Sequence, residues 1–163
     1  MTSIRSWIAS AVVLMVAVNP ASASESEVRE KLKAGEFEAV LSDVKSAIVN
    51  RGYVVDYVGH LNKMLERTSE AVGSVTDSGA KSPYKDAQYL QFCAAKLTHE
   101  AISANPQSIV NCPYVVYVYE LNAKPGSVHV GYRPPLSGPS KRSKAASEAI
   151  GKLLEDIVKE ATE

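Results

Sequence analysis

The segment from Tyr114 to Arg133 constrains this chain more than any other. Tyr114 to Leu121 reads YVVYVYEL and Ser127 to Arg133 reads SVHVGYR, two runs rich in β-branched and aromatic residues. The loop Asn122-Ala123-Lys124-Pro125-Gly126 joins them, which specifies a β-hairpin. Alternation along the first run sets Tyr114, Val116 and Val118 on one face and Tyr117 and Tyr119 on the other. Both faces are therefore apolar or amphipathic. A central strand covered on both sides has this composition. So does a strand that exposes a tyrosine surface to a ligand or a second subunit, because tyrosine offers a large apolar body with one polar tip.

The hairpin needs partners, and the chain supplies them. After Gly35 an amphipathic helix carries Phe37, Val40, Leu41, Val44, Ala47 and Ile48 on one face, with Glu38, Asp43 and Lys45 toward water. Gly52 is placed to end it in a left-handed cap. Tyr53 to Val58 reads as a strand and His60 to Arg67 as a short helix. Residues 68 to 84 lack periodicity and read as a loop. Ala87 to Phe92 is a further strand, and Thr98 to Ala104 a short helix with Thr98 as N-cap, stopped at Asn105-Pro106.

Pro134, Pro135 and Pro139 mark a stiff connector. The last helix, from about Ser143 to Ala161, carries Ala146, Ile150, Leu153, Leu154, Ile157 and Val158 as its buried stripe, and Lys141-Arg142-Ser143-Lys144 reads as its solvated entry. Residues 24 to 34 are charged and fit a frayed helix or an edge strand. The fold class expected is α+β in two layers, with helices packed on a largely antiparallel sheet. The division is a domain over 24–136 with a C-terminal amphipathic helix over 137–163 packed on it.

Residues 1 to 23 have a separate logic. Arg5 supplies a positive start, Ile8 to Val18 (IASAVVLMVAV) an apolar run, and Ala21-Ser22-Ala23 a small-x-small cleavage pattern. The apolar run is about half the roughly 20 residues needed to cross a bilayer. The expectation is a cleaved secretory signal and a periplasmic or secreted product with no membrane segment in its mature form. Loss of Arg5 leaves 17 basic residues against 18 acidic, a net of about −1. A nearly neutral domain lacks the footprint of a nucleic-acid binder.

Chemistry-bearing residues are sparse. Cys93 and Cys112 fit a disulfide, a pair of inert buried thiols, or a reactive thiol or metal ligand. No Cys-x-x-Cys exists, which excludes a thioredoxin-type mechanism. Cys93, His99 and His129 could together offer a mixed site for copper or zinc, although their spacing matches no zinc pattern, and His60 is as well suited to solvent. Asp56, in an apolar strand, is a candidate for a perturbed carboxylate. Tyr117 and Tyr119, with Arg133 and Lys96 as a positive rim for a small anion, form a candidate ligand surface. The signatures of serine hydrolases, phosphate-binding loops and zinc proteases are all missing.

Several stretches together resemble one family. They are Gly35-Glu36-Phe37, Arg51-Gly52-Tyr53-Val54-Val55, Leu90-Gln91-Phe92-Cys93-Ala94-Ala95, the run Asn111-Cys112-Pro113-Tyr114 to Glu120, and Gly131-Tyr132-Arg133-Pro134. This arrangement, over roughly residues 28 to 135, resembles the domain-of-unknown-function family 302. Family members more often carry their second cysteine after the hairpin proline, whereas here Cys112 precedes Pro113. The resemblance implies helices packed on a curved antiparallel sheet, with residues 28 to 33 as its first strand, and no established activity. The leading functional expectation is a non-enzymatic binding or accessory protein. It takes a small molecule or protein partner on its tyrosine-rich sheet, as a homo-oligomer and without an evident cofactor. The rival is a thiol- or metal-dependent protein of sulfur or copper handling centred on Cys93.

Overall fold

The computed structural model describes residues 29–72 and 82–163. The expected secretory signal, and part of the loop expected over 68–84, lie outside them. Five strands form one sheet: β1 (Arg29–Ala34), β2 (Val55–His60), β3 (Tyr84–Phe92), β4 (Tyr114–Leu121) and β5 (Ser127–Tyr132). Their order is β1-β5-β4-β3-β2, and every neighbouring pair is antiparallel. The hairpin strand β4 is thus central. The first segment is strand rather than helix, in the place the family resemblance implied.

Four helices accompany the sheet: α1 (Phe37–Val49), α2 (Leu61–Val72), α3 (Ala95–Ala104) and α4 (Lys141–Thr162). Because β1 and β2 hold opposite edges, α1 must cross the sheet to join them. It packs along α4, which also meets α3, β1 and β5. The three pack on one face of the sheet. There Val44, Ile48, Val116, Val118, Val130, Ile150 and Ile157 are wholly buried, in one cluster with Phe92 and Tyr114. Since α4 supplies much of this core, it is part of the domain and not an appendage. Burying these side chains gains about 25 cal/mol per Å² of apolar surface removed from water.

The helix over 37–49 and its terminator agree with the periodicity, and Gly52 sits at φ +81°, the left-handed conformation that only glycine takes freely. Other boundaries differ. The strand expected from Tyr53 begins at Val55, and the helix expected to stop at Arg67 continues to Val72. Thr98 is not an N-cap, since α3 starts at Ala95. Instead its hydroxyl shares a 2.8 Å hydrogen bond with the hydroxyl of Tyr114, satisfying a polar tip inside the core. α4 begins two residues early because Ser140 caps it, accepting from the Ser143 amide at 3.0 Å.

A charge also lies in the core layer. Glu120 continues the buried alternation of Tyr114, Val116 and Val118 and is 1% exposed. Lys85 reaches its carboxylate at 3.1 Å, and the Gly126 amide donates to it, so the carboxylate fastens the hairpin loop. That amide first, then Lys85, hold the Glu120 carboxyl below the usual carboxylate range against the opposing effect of burial. A carboxyl with a lowered native pKa adds stability that is full above its unfolded value, about 4.5, and is lost as pH falls through the native one. Glu120→Gln should therefore lower the denaturation midpoint at neutral pH and flatten its decline in acid, measured by urea unfolding across pH.

Cys93, at the end of β3, and Cys112, just before β4, are joined as a disulfide with Cα atoms 6.0 Å apart. The bond closes the excursion that contains α3 and the 3₁₀ turn Pro106–Asn111. A loop with a sequence separation of 19 gains about 3 kcal/mol from closure in the chain-entropy account. Replacing both cysteines with serine should cost about that much in urea denaturation while leaving the far-ultraviolet circular dichroism unchanged.

Candidate functional site

The second face of the sheet is where the chain departs from ordinary packing. Antiparallel register draws two rows of residues straight across it. One runs Glu30, Gly131, Tyr117, Tyr89, Gly59, from β1 to β2. The other runs Leu32, His129, Tyr119, Ala87. Among the described elements, α2 lies over this face, against β3.

The first row holds the shape of the site. A Cβ on Gly131 would collide with the Tyr117 ring, and one on Gly59 would fall within the Tyr89 ring. Each tyrosine therefore lies down across a glycine on the neighbouring strand. The two lean in opposite directions, Tyr117 over β5 and Tyr89 over β2. Between them the second row offers Ala87, whose small side chain leaves room. The result is a cleft of about 370 Å³ walled by Tyr84, Tyr89, Tyr117 and Tyr119, with Ala87 at its floor and Glu30 and Leu61 at its margins. A second hollow of about 450 Å³ lies beyond Tyr89 and Leu61, lined by Tyr57, His60, Lys63, Met64 and Arg67.

Ring contacts fix the walls. His129 stacks on Tyr119 with centroids 4.3 Å apart and planes at 8°. Tyr84 meets Tyr119 edge-on at 5.5 Å, and Tyr117 lies beside it at 6.2 Å. The Tyr119 hydroxyl donates to Glu30 Oε2 at 3.2 Å, and His129 Nδ1 is 3.0 Å from Glu30 Oε1. The Tyr117 hydroxyl is buried and makes no hydrogen bond among the described residues. Burial first, and then the charge of Glu30, push both the Tyr117 and the Tyr119 phenols up to about 12. Phenols with such values are neutral at physiological pH and too weakly acidic to exchange protons readily there. Among the described residues, the lining provides tyrosine walls and one carboxylate.

Two of the residues singled out from the sequence, Tyr117 and Tyr119, share this cleft. Arg133 does not line it, because its guanidinium donates to the Pro113 carbonyl at 3.0 Å and ties the end of β5 to the start of β4. Cys93 and Cys112 are bonded to each other and offer no free thiol. Cys93, His99 and His129 are not brought together: His99 is exposed on α3, and His129 lies on the opposite face. Among the described residues no group of three or more His, Cys, Asp or Glu could hold a metal ion. Asp56 is exposed. The buried carboxylate is instead Glu120, which was not singled out from the sequence although it continues the alternation of β4. Glu30, Tyr84 and Tyr89 were missed, Glu30 because its segment has no clear period. No described helix is long and apolar enough to cross a membrane.

Ultraviolet titration should show a phenol step near pH 12 that Tyr117→Phe and Tyr119→Phe together remove. Glu30→Gln should move that step down, because it removes a negative charge that opposes ionisation. An unmoved step would assign the whole shift to burial.

Residues 28–161 match the family described as "Domain of unknown function DUF302". A crystal structure of an uncharacterized conserved DUF302 protein from Bacillus stearothermophilus is similar, with a TM-score of 0.63 at 13% identity. The match covers 81% of this chain and 95% of that one, and at such identity it speaks to fold alone. No curated protein matches the chain. With the family match spanning the whole sheet and all four helices, the chain belongs to the DUF302 family.

Proposed function

We propose that this protein is an exported binding protein without catalytic activity of its own, and that the tyrosine cleft receives a small-molecule ligand. The observation that carries this reading is the opposed lean of Tyr117 and Tyr89 over Gly131 and Gly59, which keeps open a concave apolar space where rings would otherwise close it. Ligand sites are of this kind, mostly apolar with a few polar groups at the margin. Phenols raised to about 12 suit recognition and not proton transfer. Export is supported by the leader-like order of residues 1–23 and by the Cys93–Cys112 disulfide, a bond that persists in oxidising compartments. A sulfur- or copper-handling role centred on Cys93 draws no support from a sulfur already bonded to Cys112.

A fragment screen followed by NMR on the mature protein tests the reading. Hits should shift Ala87, Tyr89 and Tyr117. Gly131→Ala, whose methyl competes with the Tyr117 ring for space, should weaken them by about tenfold or more with the core still folded. The reading fails if hits instead collect on the exposed apolar surface of Ile109, Val110 and Leu136, or if none is found.

A further inference from the structure

We infer that the cleft selects an organic cation, an alkylammonium group, over neutral or anionic ligands of the same shape. The inference rests on the cleft being the ligand site and adds the sign of the charge it accepts. Among the described residues, Glu30 is the one ionisable side chain besides the tyrosines that lines the cleft, and no described Lys, Arg or His shares that lining. Its side chain is 28% exposed, so the carboxylate keeps an open side after its contacts with Tyr119 and His129.

The walls have the same preference. A tyrosine ring carries negative potential on its face, and an ammonium within about 6 Å of the centroid is attracted to it. Tyr84 and Tyr119 stand at 72° and Tyr117 at 25° to Tyr119, so faces and edges meet the space from more than one direction. An anion would meet a carboxylate and the ring faces, with Arg133 committed elsewhere to Pro113. A bare metal ion would be poorly held, because among the described residues no group of three or more His, Cys, Asp or Glu could bind one. A cation whose charge is spread over methyl groups satisfies both the apolar walls and the single carboxylate.

The test is an NMR titration of the mature protein, at mildly alkaline pH, with three probes. They are choline, the neutral alcohol in which a tert-butyl group replaces its trimethylammonium, and pivalate. Choline should shift Ala87, Tyr89 and Tyr117 and bind about tenfold more tightly than the alcohol, with pivalate weakest. Glu30→Gln should remove most of that difference, weakening choline more than the alcohol. Tyr84→Leu, which keeps an apolar wall but loses a ring face, should weaken choline more than the alcohol. If the alcohol or pivalate binds in the cleft as well as choline, the charge assignment falls and the ligand site stands. If none of the three shifts the cleft, both fall.

Discussion

The alternation of β4 is the constraint on which the rest of this structure depends. As the central strand it sends Tyr114, Val116, Val118 and Glu120 into the helices and Tyr117 and Tyr119 to the other side. A slip of one residue in pairing would exchange the two sets and drive tyrosines into a space filled by valines. The helical face is closed, with Val116, Val118 and Val130 wholly buried. On the other, α2 is the described helix that reaches the sheet, and beyond it the tyrosines rest on the strands themselves. They find support in neighbouring glycines and in one another.

Two carboxylates on opposite faces show how place decides chemistry. Glu120 is enclosed in the core layer, where Gly126 and Lys85 satisfy it, so its charge is consumed in holding the hairpin. Glu30 stands on the edge strand, holds the Tyr119 hydroxyl and the His129 ring, and still meets solvent. The first is structural because its contacts, to the Gly126 amide and the Lys85 ammonium, tie the hairpin loop and the neighbouring strand to it. The second leaves capacity for an outside partner.

Much of the fold was legible in the chain. The hairpin, the helix from Phe37 and the last helix each carry a period strong enough to read directly, and the tyrosine face followed from alternation alone. The site was half legible. Tyr117 and Tyr119 stood out because a pleated strand declares its faces. Glu30 and Tyr89 did not, since what makes them part of the site is register across five strands, which no local pattern encodes. Arg133 misled for a related reason: its charge was visible, but its engagement with the Pro113 carbonyl depends on how β5 ends beside β4. The cysteines allowed several outcomes, and only their proximity in space selects the bond.

The glycine beneath each leaning ring makes the cleft a property of residue pairs and not of single residues. Gly131 has no packing role that Tyr117 does not give it, and the same holds for Gly59 and Tyr89. A lineage that replaced either glycine would gain little unless the facing tyrosine changed with it. The two pairs should thus drift as coupled characters, and enlarging or reshaping this cleft by design is a problem of concerted exchange across strands.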